Sequence, residues 1–159
     1  MSKILKLLEK DARLSHASIA GMLGMTESAV RRQIADYERA GVIVGYRTVV
    51  DWDKAEPDYV TALIDVKVTP QRDQGFERVA RRIYQFDEVE SLYLMSGGYD
   101  LSVLISGRTL KEVALFVAQK LSTLDGVTGT ATHFVLKRYK DGGVSYNIRE
   151  DVQEGIELV

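Results

Sequence analysis

This chain of 159 residues has no cysteine, which rules out disulfides, thiolate nucleophiles and cysteine-ligated metal centres. Histidine is almost as scarce. His16 and His133 stand far apart, so no pair has the spacing of a histidine metal site, and no nucleophile elbow or phosphate-binding loop is present either. No run approaches the roughly 18 apolar residues of a membrane span. No stretch resembling a signal peptide precedes the first helical pattern, and a cytoplasmic location is expected. Prolines number only two, so few positions are barred from helix or sheet. A large net charge is also missing, since the total is -2, but its distribution is uneven. Residues 1–50 hold eight Lys/Arg against five Asp/Glu, a net of +3, and residues 51–159 hold thirteen against eighteen, a net of -5. Only the first third is expected to meet phosphate.

What is present centres on residues 26–46, TESAVRRQIADYERAGVIVGY. Thr26 is placed to cap a helix. Val30, Ile34 and Tyr37 gather one apolar face at helical spacing, and Ser28, Arg31, Arg32, Ala35 and Arg39 are expected on the other. Gly41 can take the left-handed backbone that ends a helix. A run rich in β-branched residues, 42–50, follows. Upstream, Ile4, Leu5, Leu7 and Leu8 mark a short amphipathic helix over 3–12. Ser15 caps a second helix that ends at Gly24, its inward face formed by Ile19, Ala20 and Leu23. Two helices joined by a tight turn over a third make a helix-turn-helix, whose second helix enters the major groove of DNA. A three-helix cap without a ligand would show the same apolar pattern. The exposed arginines and the local positive charge favour DNA.

Residues 51–58, DWDKAEPD, break both periodicities and read as a linker between domains 1–50 and 59–140, with Trp52 packing at the junction. From Tyr59 onward the pattern is βαββαβ. The first strand alternates Val60, Ala62, Ile64, Val66 and Val68 against Thr61, Asp65 and Lys67. Phe76, Val79, Ala80 and Ile83 line the first helix, whose outer arginines read as a solvated face. Strands near 89–95 and 101–106 flank the turn Ser96–Asp100. A second helix capped by Thr109 turns Leu110, Val113, Ala114, Val117, Leu121 and Leu124 inward, and a last long strand covers 127–139. The order gives a ferredoxin-like α+β domain with two helices on one face of an antiparallel sheet. Its other face would carry Leu63, Tyr93, Leu104 and Phe134 or Val135, apolar enough to call for a second copy of the chain. An acidic tail is expected over 141–159.

Five segments in this order and spacing resemble the Lrp/AsnC, or feast/famine, family of transcription regulators over nearly the whole chain. They are LLEKDARLS, IAGMLGMTESAV, RAGVIVGYRTVVD, SGGYDLSVLI and LDGVTGTATHFVLK. The resemblance implies an N-terminal winged helix-turn-helix that binds DNA and a C-terminal domain that dimerises through its sheet, with dimers assembling to an octamer. It also implies a small effector, usually an amino acid, held between C-terminal domains. Carried over by position, the DNA-binding residues are Thr26, Glu27, Ser28, Arg31, Arg32, Gln33, Arg39 and Arg47. Gln33 stands where the family usually has arginine. The effector wall would be Gly97, Gly98, Tyr99 and Asp100 with Thr130 and Thr132. Backbone N–H groups freed by the glycines can hold a carboxylate, and Asp100 can hold an ammonium. The same glycines also fit a plain hairpin turn, and the threonines are good strand formers.

Two other functions compete. Some proteins of this two-domain arrangement resemble tetrapyrrole decarboxylases that rely on C-terminal histidines. Here only His133 lies in that domain, on a strand where a packed histidine is the ordinary reading, so no enzyme activity and no cofactor are expected. A low-specificity architectural protein would use Arg31, Arg32, Arg39 and Arg47 on phosphate alone.

Overall fold

The computed structural model describes residues 2–55, 58–69 and 75–146. The chain divides into two compact units, Met1–Val49 and Val50–Val159.

In the first unit three helices, α1 (Lys3–Lys10), α2 (His16–Leu23) and α3 (Glu27–Arg39), enclose a small core of Ile4, Ile19, Ala20, Val30 and Ile34. Leu7, Leu8, Leu14, Leu23, Met25 and Ile43 pack around it. Each helix boundary has a local cause. Ser15 Oγ accepts the Ser18 N–H at 3.1 Å, and Thr26 Oγ1 accepts the Ala29 N–H at 3.2 Å. Gly24 closes α2 with φ 65° and ψ 32°, a conformation costly for a residue with a Cβ. Beyond α3, Gly41 is left-handed, the Val42 N–H reaches the Tyr37 carbonyl at 2.9 Å, and the Gly41 N–H reaches Glu38 at 3.1 Å. That pair of bonds is a Schellman closure. Residues 44–50, rich in β-branched side chains, form no strand, and Val44 is 94% exposed. A strand requires a paired ladder, and this unit offers no second one among its described residues.

The second unit opens on a four-residue helix, α4 (Trp52–Ala55), inside the stretch expected to be linker. Trp52 stacks on Tyr59 with centroids 5.2 Å apart. Then follow β1 (Val60–Val68), α5 (Glu77–Ile83), β2 (Val89–Leu94), β3 (Leu101–Gly107), α6 (Leu110–Phe116), a π-helical turn (Val117–Leu121) and β4 (Val127–Phe134). The sheet order is β2-β3-β1-β4 and every pairing is antiparallel, as the βαββαβ pattern requires. Ala62, Ile64 and Val66 of β1 lie opposite Ile105, Val103 and Leu101 of β3. They share one fully buried layer with Val79, Ile83, Val113, Phe116 and Leu121 of the helices.

Three side chains depart from expectation. Leu110 and Ala114 are exposed, while Phe116 is buried edge-on against Phe86. The helix begins at Leu110, directly after the Thr109 cap, so its inward stripe starts only at Val113 and runs through Phe116 and Val117. The last strand also stops early, at Phe134. Beyond it a small hairpin pairs β5 (Lys140–Asp141) with β6 (Val144–Ser145), where the acidic tail was expected to begin. The rest of that tail, from residue 147, lies outside the described residues.

Lys120, on the π-helical turn, bonds Glu88 and sits 5.5 Å and 5.6 Å from the Phe86 and Phe116 ring centroids. Its ammonium draws the Glu88 carboxyl below the usual carboxylate range, against the opposing pull of burial. A carboxyl lowered by folding stabilises the fold above its unfolded pKa, and that stability is lost as pH falls through the folded value. Both groups are partly solvated, so the pair is worth about 0.2–1 kcal/mol. Lys120→Met should lower the melting temperature at neutral pH, with a deficit that shrinks in acid. A deficit of constant size across the carboxylate range would assign the loss to packing alone.

Candidate DNA and effector sites

The core side of α3 is Val30, Ile34 and the half-buried Tyr37. At about 100° per residue, Ser28, Arg32, Ala35 and Arg39 fall on the opposite ridge. Ser28, Arg32 and Arg39 are exposed, and Arg39 is held by Asp36 and the Ala35 carbonyl. Among the described residues Arg32 has no hydrogen-bond or ion-pair partner. Arg31 is exposed too, but it stands on a flank. It donates to Glu27 at 3.0 Å and borders a groove of about 280 Å³ with Leu8, Leu14, His16, Glu38 and Tyr46. Gln33 occupies the other flank, half-buried, and donates to the Tyr37 hydroxyl at 3.0 Å. Thr26 is engaged as the cap and bonds the Ser28 hydroxyl at 3.2 Å. Arg47 is exposed on the extended run after the helix. The ridge centred on Arg32 is thus exposed, and Arg32 is its arginine without a partner among the described residues.

In the second unit the turn 96–100 is tied to the end of β1. The Asp100 N–H donates to the Val66 carbonyl at 3.0 Å, and Asp100 Oδ2 accepts the Val68 N–H at 2.8 Å. The last β1–β3 pair is Val66 with Leu101, so the Asp100 carboxylate satisfies the β1 donor just beyond the ladder. Lys67 Nζ donates to the Gly98 carbonyl at 2.9 Å. Neither Gly97 nor Gly98 has a positive φ, and a Cβ added at either would meet nothing within 4 Å. The turn itself thus does not demand glycine at these two places.

Thr130 and Thr132 are not beside this turn within one chain. They pair with Val66 and Ile64 across β1, on the helix-covered face, and Thr130 Oγ1 lies 3.4 Å from Ser122 Oγ. Leu101 flanks Val66 from the other side, which sets turn and threonines about two strand spacings, roughly 10 Å, apart. Lys67 was not among the residues singled out from the sequence. Alternation places it on the outer face of β1, but its contact lies 31 residues away, and no local pattern reports that.

The open sheet face carries Leu63, Tyr93, Leu104 and Val135. Phe134 lies opposite Ala62, on the helix side. Polar groups are mixed in. His133 Nε2 is 3.3 Å from Asp65 Oδ2, and Arg138 Nη2 donates to Thr61 at 3.2 Å.

Residues 61–145 match the Lrp/AsnC ligand binding domain, and residues 2–44 match a winged helix-turn-helix DNA-binding domain. The chain belongs to the Lrp/AsnC family. It is 48% identical over 151 residues to the uncharacterized HTH-type transcriptional regulator YugG of Bacillus subtilis, covering 94% of this chain and 91% of that protein. The HTH-type transcriptional regulator LrpA of Pyrococcus abyssi is 34% identical, with 86% and 94% covered. Among solved structures, the Neisseria meningitidis regulator NMB0573 in complex with L-Met superposes with a TM-score of 0.74. That match is 22% identical and covers 94% of this chain and 98% of the other, and it establishes shared fold. As an Lrp/AsnC protein, the chain is a transcriptional regulator with a DNA-binding unit and a ligand-binding domain, and it is not an enzyme. No described helix is long and apolar enough to cross a membrane.

Proposed function

We propose that this regulator reads a specific operator through the outward ridge of α3, and that a free amino acid or close relative seated at Gly97–Asp100 alters that reading. The observation that carries the effector part is the pair of turn glycines. Their backbone conformation and surroundings would admit side chains, yet they leave main-chain groups bare to an approaching molecule. Thr130 and Thr132 belong to the same site only if a second subunit supplies them, because β1 separates them from the turn of their own chain. The open sheet face supports a second subunit, although it is the side opposite Thr130 and Thr132, so a contact that brings those threonines to the turn is a further one. Leu63, Tyr93 and Val135 on it are each more than a third exposed, and a second copy would cover them. A dimer is the minimal unit, with an octamer built from four dimers as the assembly the family resemblance implies, acting in the cytoplasm.

Sedimentation at micromolar concentration should give a species of at least twice the chain mass. A monomer with intact circular dichroism would remove the between-subunit site. L-Methionine, the ligand of the Neisseria regulator, comes first in a calorimetric panel of the twenty amino acids. The DNA half is tested by comparing genomic control regions with random duplex across a salt series. Equal affinities at every salt concentration would assign the protein to phosphate-only, architectural binding.

A further inference from the structure

We propose that Lys67 is the residue that meets the effector's carboxylate, exchanging the Gly98 carbonyl for it. The inference rests on the Gly97–Asp100 turn being the effector site. Of the three ties that hold this turn to β1, two are made by Asp100, through its backbone N–H and its half-buried carboxylate. The third is different in kind. It is made by the end of an exposed, flexible side chain to a neutral carbonyl, 2.9 Å away. An ammonium is drawn more strongly to the full negative charge of a carboxylate than to the dipole of a neutral carbonyl, so an arriving anion can displace Gly98 without leaving the cation unpaired.

The surroundings of Lys67 favour that exchange. Gly129 lies opposite it on β4 and Gly98 lies at its tip, so two residues without side chains flank it. The register of β1 with β4 shifts between Lys67 and Val68, an irregularity of the kind that re-aims side chains next to binding sites. Asp65, the carboxylate on the same strand face, is turned to His133 at 3.3 Å. Among the described residues, Lys67 is the one cation bonded to the turn. Binding would therefore free the Gly98 carbonyl from β1, so that ligand and turn reorganise together. The ligand class is correspondingly narrow: the effector must carry a carboxylate, and its carboxamide or decarboxylated amine should be a poor substitute.

The test is calorimetry on the full-length protein with each of the twenty amino acids, then with the α-carboxamide of those that bind. Wild type should prefer acid over amide by about tenfold or more. Lys67→Met should bind both forms alike, near the wild-type affinity for the amide, and Lys67→Arg should restore most of the preference. Lys67→Gln, which keeps a donor without the charge, should behave as the methionine variant and serves in its place if that variant misfolds. A purely structural role for Lys67 would lower both affinities together and leave their ratio unchanged. If the acid is still preferred in Lys67→Met, Lys67 is not the carboxylate partner, although the turn remains the effector site. If no amino acid gives heat with wild type, the effector reading itself fails, and the role of Lys67 with it.

Discussion

Arg32→Ala should weaken operator binding by about 1–3 kcal/mol, roughly five- to 150-fold, and Arg31→Ala should cost less. The sequence offers these two arginines as equals, but the fold separates them. Arg32 projects from the ridge opposite Val30 and Ile34, with no partner among the described residues, so its guanidinium would meet DNA with all five donors available. Arg31 must first give up the Glu27 carboxylate, 3.0 Å away on its own helix, and its side of α3 faces the groove bordered by Leu14 and Tyr46. The exchange of one ion pair for another returns little free energy when both are exposed. If Arg32 contacts a guanine edge, its loss relaxes one operator position; if it contacts phosphate, all sequences weaken alike and the salt slope flattens by about one unit. Fluorescence anisotropy with specific and random duplexes at three salt concentrations distinguishes these. A larger loss in Arg31→Ala than in Arg32→Ala would show that the helix meets DNA through its flank.

The same comparison shows what was legible in the sequence. Local signals carried over well: the Ser15, Thr26 and Thr109 caps, the Gly24 turn and the alternation of β1 all appear where the spacing put them. These depend on neighbours within about one helical turn or two strand residues, which a sequence displays directly. Failures arose where the decisive partner is remote or the period changes. Leu110 satisfies the helical stripe on paper but precedes the first inward turn, and the π-helical turn after Phe116 alters the spacing that the stripe assumes.

The candidate sites show the same division. That Arg32 outranks Arg31 depends on an i,i+4 pair, which spacing allows but cannot weigh against DNA. Gln33, set beside the arginines by its position in the helix, instead turns inward to Tyr37. The turn at Gly97–Asp100 was visible as a motif, whereas its ties to Val66, Lys67 and Val68 exist only once β3 is laid beside β1. The distance from that turn to Thr130 and Thr132 is likewise a property of strand order, and it decides whether one chain or two could complete the site.

Asp100 is where structure and proposed recognition meet in one side chain, and its two natural substitutions should give different results. Asp100→Ala removes the acceptor of the Val68 N–H, which then has no ladder partner beyond the Val66–Leu101 pair. A half-buried donor left unsatisfied costs about 1–3 kcal/mol, so the second unit should melt several degrees lower whether or not effector is present. Asp100→Asn keeps a carbonyl oxygen for Val68 and should retain most of that stability, losing only the difference between a charged and a neutral acceptor. Its charge, however, is gone. If the carboxylate oxygen not bonded to Val68 holds the effector's ammonium, Asp100→Asn should bind the amino acid about tenfold or more weakly while remaining folded. Measuring the melt and the binding heat on both variants separates the two roles. A wild-type melting temperature in Asp100→Ala would mean that the bond to Val68 carries no stability. Full affinity in Asp100→Asn would give the ammonium another partner, and Asp100 would then serve to hold the turn against β1, within reach of Lys67.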